Sequence, residues 1–180
     1  NFKLALDKIR IENAEYRALV QMEVGRAYYD NADYSTAMDY YILADKGLEV
    51  AEVKGRSFCK LMHYMGSVFK RQNNDGKALE YYDRMLAEAR RSGLKQYEGE
   101  ALDLLAGVYA YIGEYDKEKE YLEKALKVYR SIEDEIGEAQ VLMSLAHGEI
   151  YEAEYQLALQ RLDRVEEISK KYAYKSYDVT

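Results

Sequence analysis

Apolar side chains recur along the chain at steps of three and four residues, the spacing of one face of an α-helix. Leu102, Leu105 and Tyr109 mark such a face, and no segment alternates apolar and polar residues over the length of a strand. The pattern predicts an all-α chain of eight helices in four pairs. The first helices of the pairs are predicted at residues 14–31, 53–72, 95–112 and 134–152, and the second helices at 34–48, 75–91, 115–130 and 155–171.

The eight segments repeat as four copies of one unit. Ala37, Ala78, Glu118 and Ala158 mark the second helix of each copy. A nearly constant period of about 40 residues predicts stacked helix pairs, because each pair buries its apolar face against the next. Two further columns support the register, with Gly25, Gly66, Ala106 and Ala146 before the marker and Tyr41, Tyr82, Leu122 and Leu162 after it.

Two acidic residues interrupt these columns. Glu118 stands at a marker position that is otherwise alanine, so we expect its replacement by alanine to leave stability unchanged or to raise it. In a column three residues after the small position, Glu149 follows Tyr28, Phe69 and Tyr109. Both departures fall in the second half of the chain.

Short segments separate the two helices of each copy. The first three, at residues 31–33, 72–74 and 112–114, contain Asn, Asp or Gly. Such residues end one helix and cap the next. The chain has no proline, which agrees with long uninterrupted helices.

Two stretches share one pattern, namely Leu105–Tyr109 with Gly113–Tyr115 and Tyr121–Leu126, and Val24–Tyr28 with Ala37, Tyr41 and Ala44. Both stretches resemble the tetratricopeptide repeat. The resemblance extends over the whole chain as four tandem units and implies an α-α superhelix. The period is longer than is usual for that family, the proline expected after the second helix is absent, and Glu118 replaces a small residue. Longer second helices would absorb the extra residues, as in bacterial peptide-sensing regulators, including the response-regulator aspartate phosphatases, and in kinesin light chain.

We therefore predict a single repeat domain over residues 1–180, with repeats at about 14–52, 53–94, 95–133 and 134–172. Residues 2–12 fit the second helix of a preceding unit, and residues 176–180 fit the start of a following first helix. Neither end has the polar face of a terminal repeat, so we interpret the sequence as a piece of a larger protein. We expect self-association through the apolar residues of these ends, namely Leu4, Leu6, Ile9, Ile168, Tyr172 and Tyr177.

Charge and composition narrow the class of partner. The chain carries a formal net charge of −7, which disfavours binding to the phosphate backbone of nucleic acids. No apolar run is long enough to cross a membrane, and no signal-peptide pattern is present. The single Cys59 cannot form an internal disulfide, which suits a reducing compartment. We expect a cytoplasmic protein that binds neither nucleic acid nor membrane.

Residues that usually carry catalysis or bind metals do not come together in this sequence. His63 and His147 are the only histidines and lie two repeats apart, whereas metal sites usually have three or four protein ligands. Cys59 lies beside Lys60 without a neighbouring base to activate it. No phosphate-binding glycine loop, nucleophile elbow or metalloprotease helix occurs. We expect the chain to have no enzyme activity, catalytic residue, cofactor or metal site.

Twenty tyrosines, against three phenylalanines and no tryptophan, are the strongest bias in composition. Many occupy core columns, and the others suit an interaction surface, because tyrosine offers a large contact area with a polar tip. In tetratricopeptide arrays the first helices line a concave groove, so the resemblance implies a protein or peptide ligand there. The groove residues implied in this chain are Met22, Arg26, Tyr29, Asp30, Lys60, His63, Ser67, Lys70, Arg71, Glu100, Asp103, Gly107, Tyr111, Met143, His147 and Tyr151.

The second repeat is basic on this face, through Lys60, His63, Lys70 and Arg71. Such a cluster suits a carboxylate ligand, although an ordinary solvated helix face explains the same residues. The sequence does not decide between the concave and the convex face. Two functions stay open at this point. The chain is either a binding module that acts as the scaffold or sensor of a bacterial signalling protein, or the regulatory repeat domain of an enzyme whose catalytic part lies outside this sequence.

Overall fold

The computed structural model describes residues 14–177, with side chains up to residue 173. All regular secondary structure in this range is α-helical, which confirms the predicted fold class. Consecutive helices pack as pairs, α1 with α2, α3 with α4, α5 with α6 and α7 with α8. Their bounds are α1 Ala14–Asp30, α2 Tyr34–Val50, α3 Arg56–Arg71, α4 Asp75–Arg91, α5 Lys95–Tyr111, α6 Tyr115–Ser131, α7 Glu135–Tyr151 and α8 Tyr155–Tyr177.

The turns between helices share one backbone conformation. In the first turn the Asp33 N–H donates to the Tyr28 carbonyl and the Ala32 N–H to the Tyr29 carbonyl, both at 2.9 Å. These are the two hydrogen bonds of a Schellman motif, which requires a left-handed residue after the helix. Asp33 then caps α2, since its side chain accepts from the Thr36 N–H at 3.1 Å. The left-handed residues of the seven turns are Ala32, Glu52, Asn73, Gly93, Gly113, Glu133 and Ala153.

Helix α3 begins three residues later than predicted, at Arg56 rather than at residue 53. Gly55 precedes it with φ of +73°, and the Gly55 N–H donates to Glu88 Oε1 at 2.6 Å. Glu88 also accepts from Arg91 and Ser92, each at 2.7 Å. The Arg91 hydrogen bond is the main reason that the pKa of Glu88 falls to about 2, with smaller contributions from Ser92 and the Gly55 N–H.

The chain forms two compact units, one ending at Leu94 and one beginning at Lys95. In the first unit the two helix pairs meet through α2 and α3, and α1 also contacts α3. In the second unit the pairs meet through α6 and α7, and α5 also contacts α7. Each unit therefore holds two stacked repeats.

Glycine and tyrosine face each other inside the first unit. A Cβ atom at Gly25 would lie 2.5 Å from Tyr41 Cε1, and one at Gly66 would lie 2.4 Å from Tyr82 Cε1. Both tyrosines are fully buried. The absence of a side chain on the first helix therefore makes room for the ring of the second, as the column of small residues predicted.

The second unit fills the same positions differently. Ala106 takes the place of the glycine, and Leu122 takes the place of the tyrosine; both are buried. A different aromatic contact joins the two repeats here, because the Tyr129 ring lies between Gly99 and Gly137. A Cβ at either glycine would come within 2.8 Å of that ring.

Stacked rings join the two helices of the first three repeats near the turn. The ring centroids are 5.6 Å apart for Tyr28 and Tyr40, 5.4 Å for Phe69 and Tyr81, and 5.2 Å for Tyr109 and Tyr121. The two partners are always twelve residues apart. In the fourth repeat the equivalent positions hold Glu149 and Arg161, whose Oε1 and Nε atoms are 2.5 Å apart. An ion pair thus replaces a stacked aromatic pair.

The ends of the chain differ in part from the prediction. Helix α8 continues through Tyr177, so the separate helix expected to start at residue 176 is not formed within the described residues. Ile168, expected to be exposed, is only 3% exposed, and it lies on α8, which packs against α7. Leu4, Leu6 and Ile9 lie outside the described residues. None of the described helices is both long and apolar enough to span a membrane.

Candidate functional site

The expected groove residues of the first unit form a network of paired charges. Arg26 Nε lies 2.9 Å from Glu23 Oε2, and Arg26 Nη1 lies 3.1 Å from Asp30 Oδ2. Lys60 Nζ of α3 reaches across to Glu23 Oε1 at 2.7 Å. The Lys60 hydrogen bond is the main reason that the pKa of Glu23 is lowered. Met22, expected in the groove, is instead buried in the core of the unit.

The cationic residues of α3 are spread along the helix rather than gathered in one place. Lys60 and Lys70 are ten residues apart, which corresponds to about 15 Å along a helix. Arg71 Nε donates to the Tyr29 hydroxyl at 3.2 Å. His63 stands edge-on to Tyr64, with ring centroids 5.8 Å apart. A separate polar contact joins Ser67 Oγ and Tyr82 OH, which are 3.2 Å apart.

In the second unit, the exposed side of α7 is largely apolar. Met143 is 57% exposed and Tyr151 is 82% exposed. Exposed residues recur along α7 at three- and four-residue steps, which places them on one face of the helix. We call this surface the α7 face and define it as Ile136, Gln140, Met143, His147, Ile150 and Tyr151.

Helix α5 borders α7 and contributes acidic residues. Glu100 and Asp103 are half-buried on it. Burial raises the pKa of Tyr129, and the negative charges of Asp103 and Glu100 raise it further. Tyr111, at the end of α5, is largely exposed. The structure therefore places the expected residues of this unit on two neighbouring helices, one acidic and one apolar.

A cavity of about 600 Å³ opens between the start of α6 and the end of α7. Tyr115 and Tyr151 face each other across it, with ring centroids 6.2 Å apart. Glu118 is half-buried in its wall, and burial raises the pKa of this carboxyl while the nearby His147 opposes the shift. The cavity is lined by Gly113, Glu114, Tyr115, Asp116, Glu118, Lys119, Leu122, Ser144, Leu145, His147, Gly148, Glu149, Tyr151 and Glu152.

Sequence reasoning found only His147 and Tyr151 of this cavity. It treated Glu118 and Glu149 as departures from their columns without connecting them. A signal was present, because the residue forty positions after Tyr121 is Arg161. Glu149 and Arg161 occupy the two positions that hold an aromatic pair in the other repeats.

The residue types that usually bind metals or act as nucleophiles are placed as follows. Among the described residues, no group of three or more His, Cys, Asp or Glu side chains is arranged to hold a metal ion. Cys59 is buried, and its Sγ lies 3.8 Å from the Met85 carbonyl oxygen. Both units expose helix faces whose side chains a partner can contact.

Residues 57–131 match the family model described as tetratricopeptide repeat. This segment belongs to the tetratricopeptide repeat family. Tetratricopeptide repeat domains are protein-binding modules, and the long period of this chain is accommodated by helices of 16 or 17 residues in the first three repeats. No curated protein matches the sequence significantly.

Several solved structures share the tetratricopeptide repeat fold of this chain. BtubC (BKLC) from P. vanneervenii is 17% identical with a TM-score of 0.83, covering 96% of this chain and 72% of that protein. A Rap protein complexed with Competence and Sporulation Factor is 19% identical with a TM-score of 0.82, covering 97% of this chain and 48% of that protein. A STAND protein with a tetratricopeptide repeat sensor from Pyrococcus horikoshii is 18% identical with a TM-score of 0.81, covering 96% and 27%.

At these identities the likeness shows the fold alone. The chain spans about half the length of the Rap protein and about a quarter of the STAND protein. The predicted resemblance to the long repeats of peptide-sensing regulators is confirmed at the level of the fold.

Proposed function

We propose that the chain is a non-catalytic module that binds a protein or peptide along the α7 face. One observation carries the proposal, namely that α7 is apolar on both sides. Its inner side buries Leu142 and Leu145, whereas its outer side leaves Met143 and Ile150 in water. A row of exposed apolar side chains is typical of a surface that a partner covers.

Charge indicates which partner fits the α7 face. Glu100 and Asp103 of α5 lie on the helix beside it, and five of the side chains that line the adjoining cavity are carboxylates. Complementary charge guides encounter and suppresses wrong partners. The partner that fits best is a segment with apolar side chains along one side and Lys or Arg next to them. Tyr111 and Tyr151 would supply the large contacts.

The first unit is less suited to this role. Lys60, Glu23 and Arg26 already pair with one another. A ligand carboxylate would have to compete with Glu23 for Lys60, and separating a paired charge costs desolvation. For this reason we assign the contact to the second unit and keep Lys70 and Arg71 as the sites of the competing hypothesis.

Within a larger protein, this module would act as a scaffold or a sensor in a signalling pathway of a bacterium. The likeness to a Rap protein complexed with Competence and Sporulation Factor and to a STAND protein with a repeat sensor supports this role. The second candidate is a regulatory repeat domain of an enzyme, with the catalytic part outside this sequence. The STAND protein, a signal transduction ATPase by its description, is the observation that favours it.

Selection from a random peptide library displayed on phage tests the binding proposal. The 180-residue chain serves as bait, in parallel with Met143→Glu and with Lys124→Ala as the matched control. Lys124 lies on α6, outside the α7 face, and pairs with Glu120. We expect enriched peptides to combine apolar and basic residues and to bind the wild type and Lys124→Ala but not Met143→Glu. Peptides that lack a positive charge, or that keep their affinity for Met143→Glu, would contradict the proposal.

A further inference from the structure

The cavity between α6 and α7 has more negative than positive side chains in its walls. Its carboxylates are Glu114, Asp116, Glu118, Glu149 and Glu152, against Lys119 and the imidazole of His147. Lys119 is already shared, since its Nζ lies 2.8 Å from Glu152 Oε2 and 3.7 Å from Glu154 Oε2. Glu114 also has a partner, because Lys117 Nζ lies 3.5 Å from its Oε2. The carboxylates still outnumber the cations, so the walls keep an excess of negative charge.

Glu149 is the most informative of these groups. It is 1% exposed, and its Oε1 accepts from Arg161 Nε at 2.5 Å. The same guanidinium donates to Glu123 Oε1 at 2.7 Å, so that one positive charge faces two carboxylates. Oε2 of Glu149 is buried without a hydrogen-bond partner among the described residues. A buried carboxylate oxygen that lacks a donor is costly, so this site lacks one hydrogen-bond donor.

Comparison with the other repeats explains the open space at Gly148. The residue before it is Gly148, whereas the same position is Val68 in the second repeat and Val108 in the third, both fully buried. A Cβ at Gly148 would meet no atom within 4 Å. The missing side chain leaves open space in the wall of the cavity at Gly148.

The mouth of the cavity suits a cation as well. The rings of Tyr115 and Tyr151 are tilted by 39° to each other and are both largely exposed. Aromatic faces attract ammonium and guanidinium groups. A volume of about 600 Å³ is in the range of pockets that hold small ligands.

We propose that this cavity binds a guanidinium or primary ammonium group, which lies between Tyr115 and Tyr151, donates to Glu118 and is attracted by the buried carboxylate of Glu149. The site goes beyond the proposed contact on the α7 face, although His147 and Tyr151 border both. The cation is either a free amine or the basic side chain of a peptide. The two sources share the recognition chemistry and are distinguished by the experiment.

The test is a titration of the 180-residue chain with N-acetylarginine amide, followed by calorimetry and by the amide NMR signals of Gly113 and Gly148. N-acetylcitrulline amide is the matched ligand control, because it keeps the shape of arginine without its charge. We expect saturable shifts with the arginine compound and at least about tenfold weaker binding of the citrulline compound, since hydrogen bonds to charged groups are worth more than neutral ones. Agmatine, a free amine, and a peptide containing one arginine then show which source binds more tightly.

Substitutions test the residues. We expect Glu118→Gln and Glu149→Gln each to weaken arginine amide binding about tenfold, and Gly148→Leu to abolish it by filling the space. Glu120→Gln is the matched charge control on α6, because Glu120 pairs with Lys124 and does not line the cavity. If Glu149→Gln fails to fold, Glu118→Gln and Gly148→Leu still decide the matter.

Three results would overturn the proposal. The first is equal binding of the arginine and citrulline compounds. The second is the absence of any saturable shift at millimolar ligand. The third is binding that survives Gly148→Leu. Met143→Glu should leave arginine amide binding intact, which separates this site from the proposed contact on the α7 face.

Discussion

The Arg161 Nε–H donates to Glu149 Oε1 at 2.5 Å. In each of the other three repeats, the equivalent two positions hold a pair of stacked aromatic rings. Both positions hold charged residues in the fourth repeat, and they are again twelve residues apart. Half-buried rings have thus given way to a buried carboxylate that depends on one guanidinium. The opening of the cavity next to Gly148 accompanies this exchange.

The exchange predicts strong coupling between the two residues. Arg161→Tyr alone leaves Glu149 buried without its partner and should lower the free energy of unfolding by about 3–5 kcal/mol. The double change Glu149→Tyr with Arg161→Tyr should restore a stacked pair and recover most of that loss. Denaturant unfolding of the single and double variants measures the coupling. A loss below about 1 kcal/mol for Arg161→Tyr alone would contradict the importance of the pair.

A second prediction concerns the contact of Gly66 with Tyr82. Because a Cβ at Gly66 would lie 2.4 Å from the ring, Gly66→Ala should already destabilise the protein, and Gly66→Leu should cost about 1–3 kcal/mol. The double variant Gly66→Ala with Tyr82→Leu copies Ala106 and Leu122 of the third repeat and should recover part of the loss. Thermal unfolding provides the comparison, and an unaffected Gly66→Leu variant would show that the register is wrong.

The left-handed turns offer a way to raise stability. Ala153 has φ of +61°, a conformation that costs roughly 1–2 kcal/mol for an L-residue, whereas glycine adopts it without a Cβ penalty but loses more chain entropy. Ala153→Gly should therefore stabilise the protein by about 0.5–1 kcal/mol. Gly113→Ala at the equivalent turn should destabilise it by a similar amount. Equal melting temperatures for all three proteins would argue against strain at these positions.

Stability should fall in acid because of Glu88. Its pKa of about 2 in the folded chain lies below the ordinary value of 4.5, mainly through Arg91. A depressed carboxyl pKa contributes stability that is present above the unfolded pKa and is lost as the pH falls from about 4.5 towards 2. The slope from this group approaches about 1.4 kcal/mol per pH unit at most. Glu88→Gln should flatten the profile in this window. Glu120→Gln should change it much less, because Lys124 lowers the pKa of Glu120 only at an exposed, solvent-screened pair.

The sequence predicts those contacts of the fold that recur in successive repeats. The columns with Gly66 and Tyr82 recur with the period of the repeat, so the helix pairs and their closest contact follow from it. The Tyr129 ring between Gly99 and Gly137 was not predicted, because this contact occurs between repeats and does not recur in the other columns.

The residues of the candidate site also divide into those that the repeat predicts and those that it does not. Met143 and Tyr151 follow from the register, since the exposed face of a first helix is set by the core face opposite. The cavity could not be predicted, because Gly148 and the ion pair between helices α7 and α8 both depart from the repeated columns. Lys60 could not be recognised as paired, since Glu23 belongs to the preceding repeat.

Calorimetric titration of one selected apolar and basic peptide against Met143→Glu, Tyr151→Ala, Lys70→Glu and Lys124→Ala tests the central claim most directly. Thermal unfolding is measured beside it to confirm that the variants are folded. We predict at least about tenfold loss of affinity for Met143→Glu and Tyr151→Ala, as expected for anchor residues of an interface, weaker binding at higher salt, and wild-type affinity for the other two. Loss of binding in Lys70→Glu with wild-type affinity in Met143→Glu would contradict the account and move the recognition surface to the first unit.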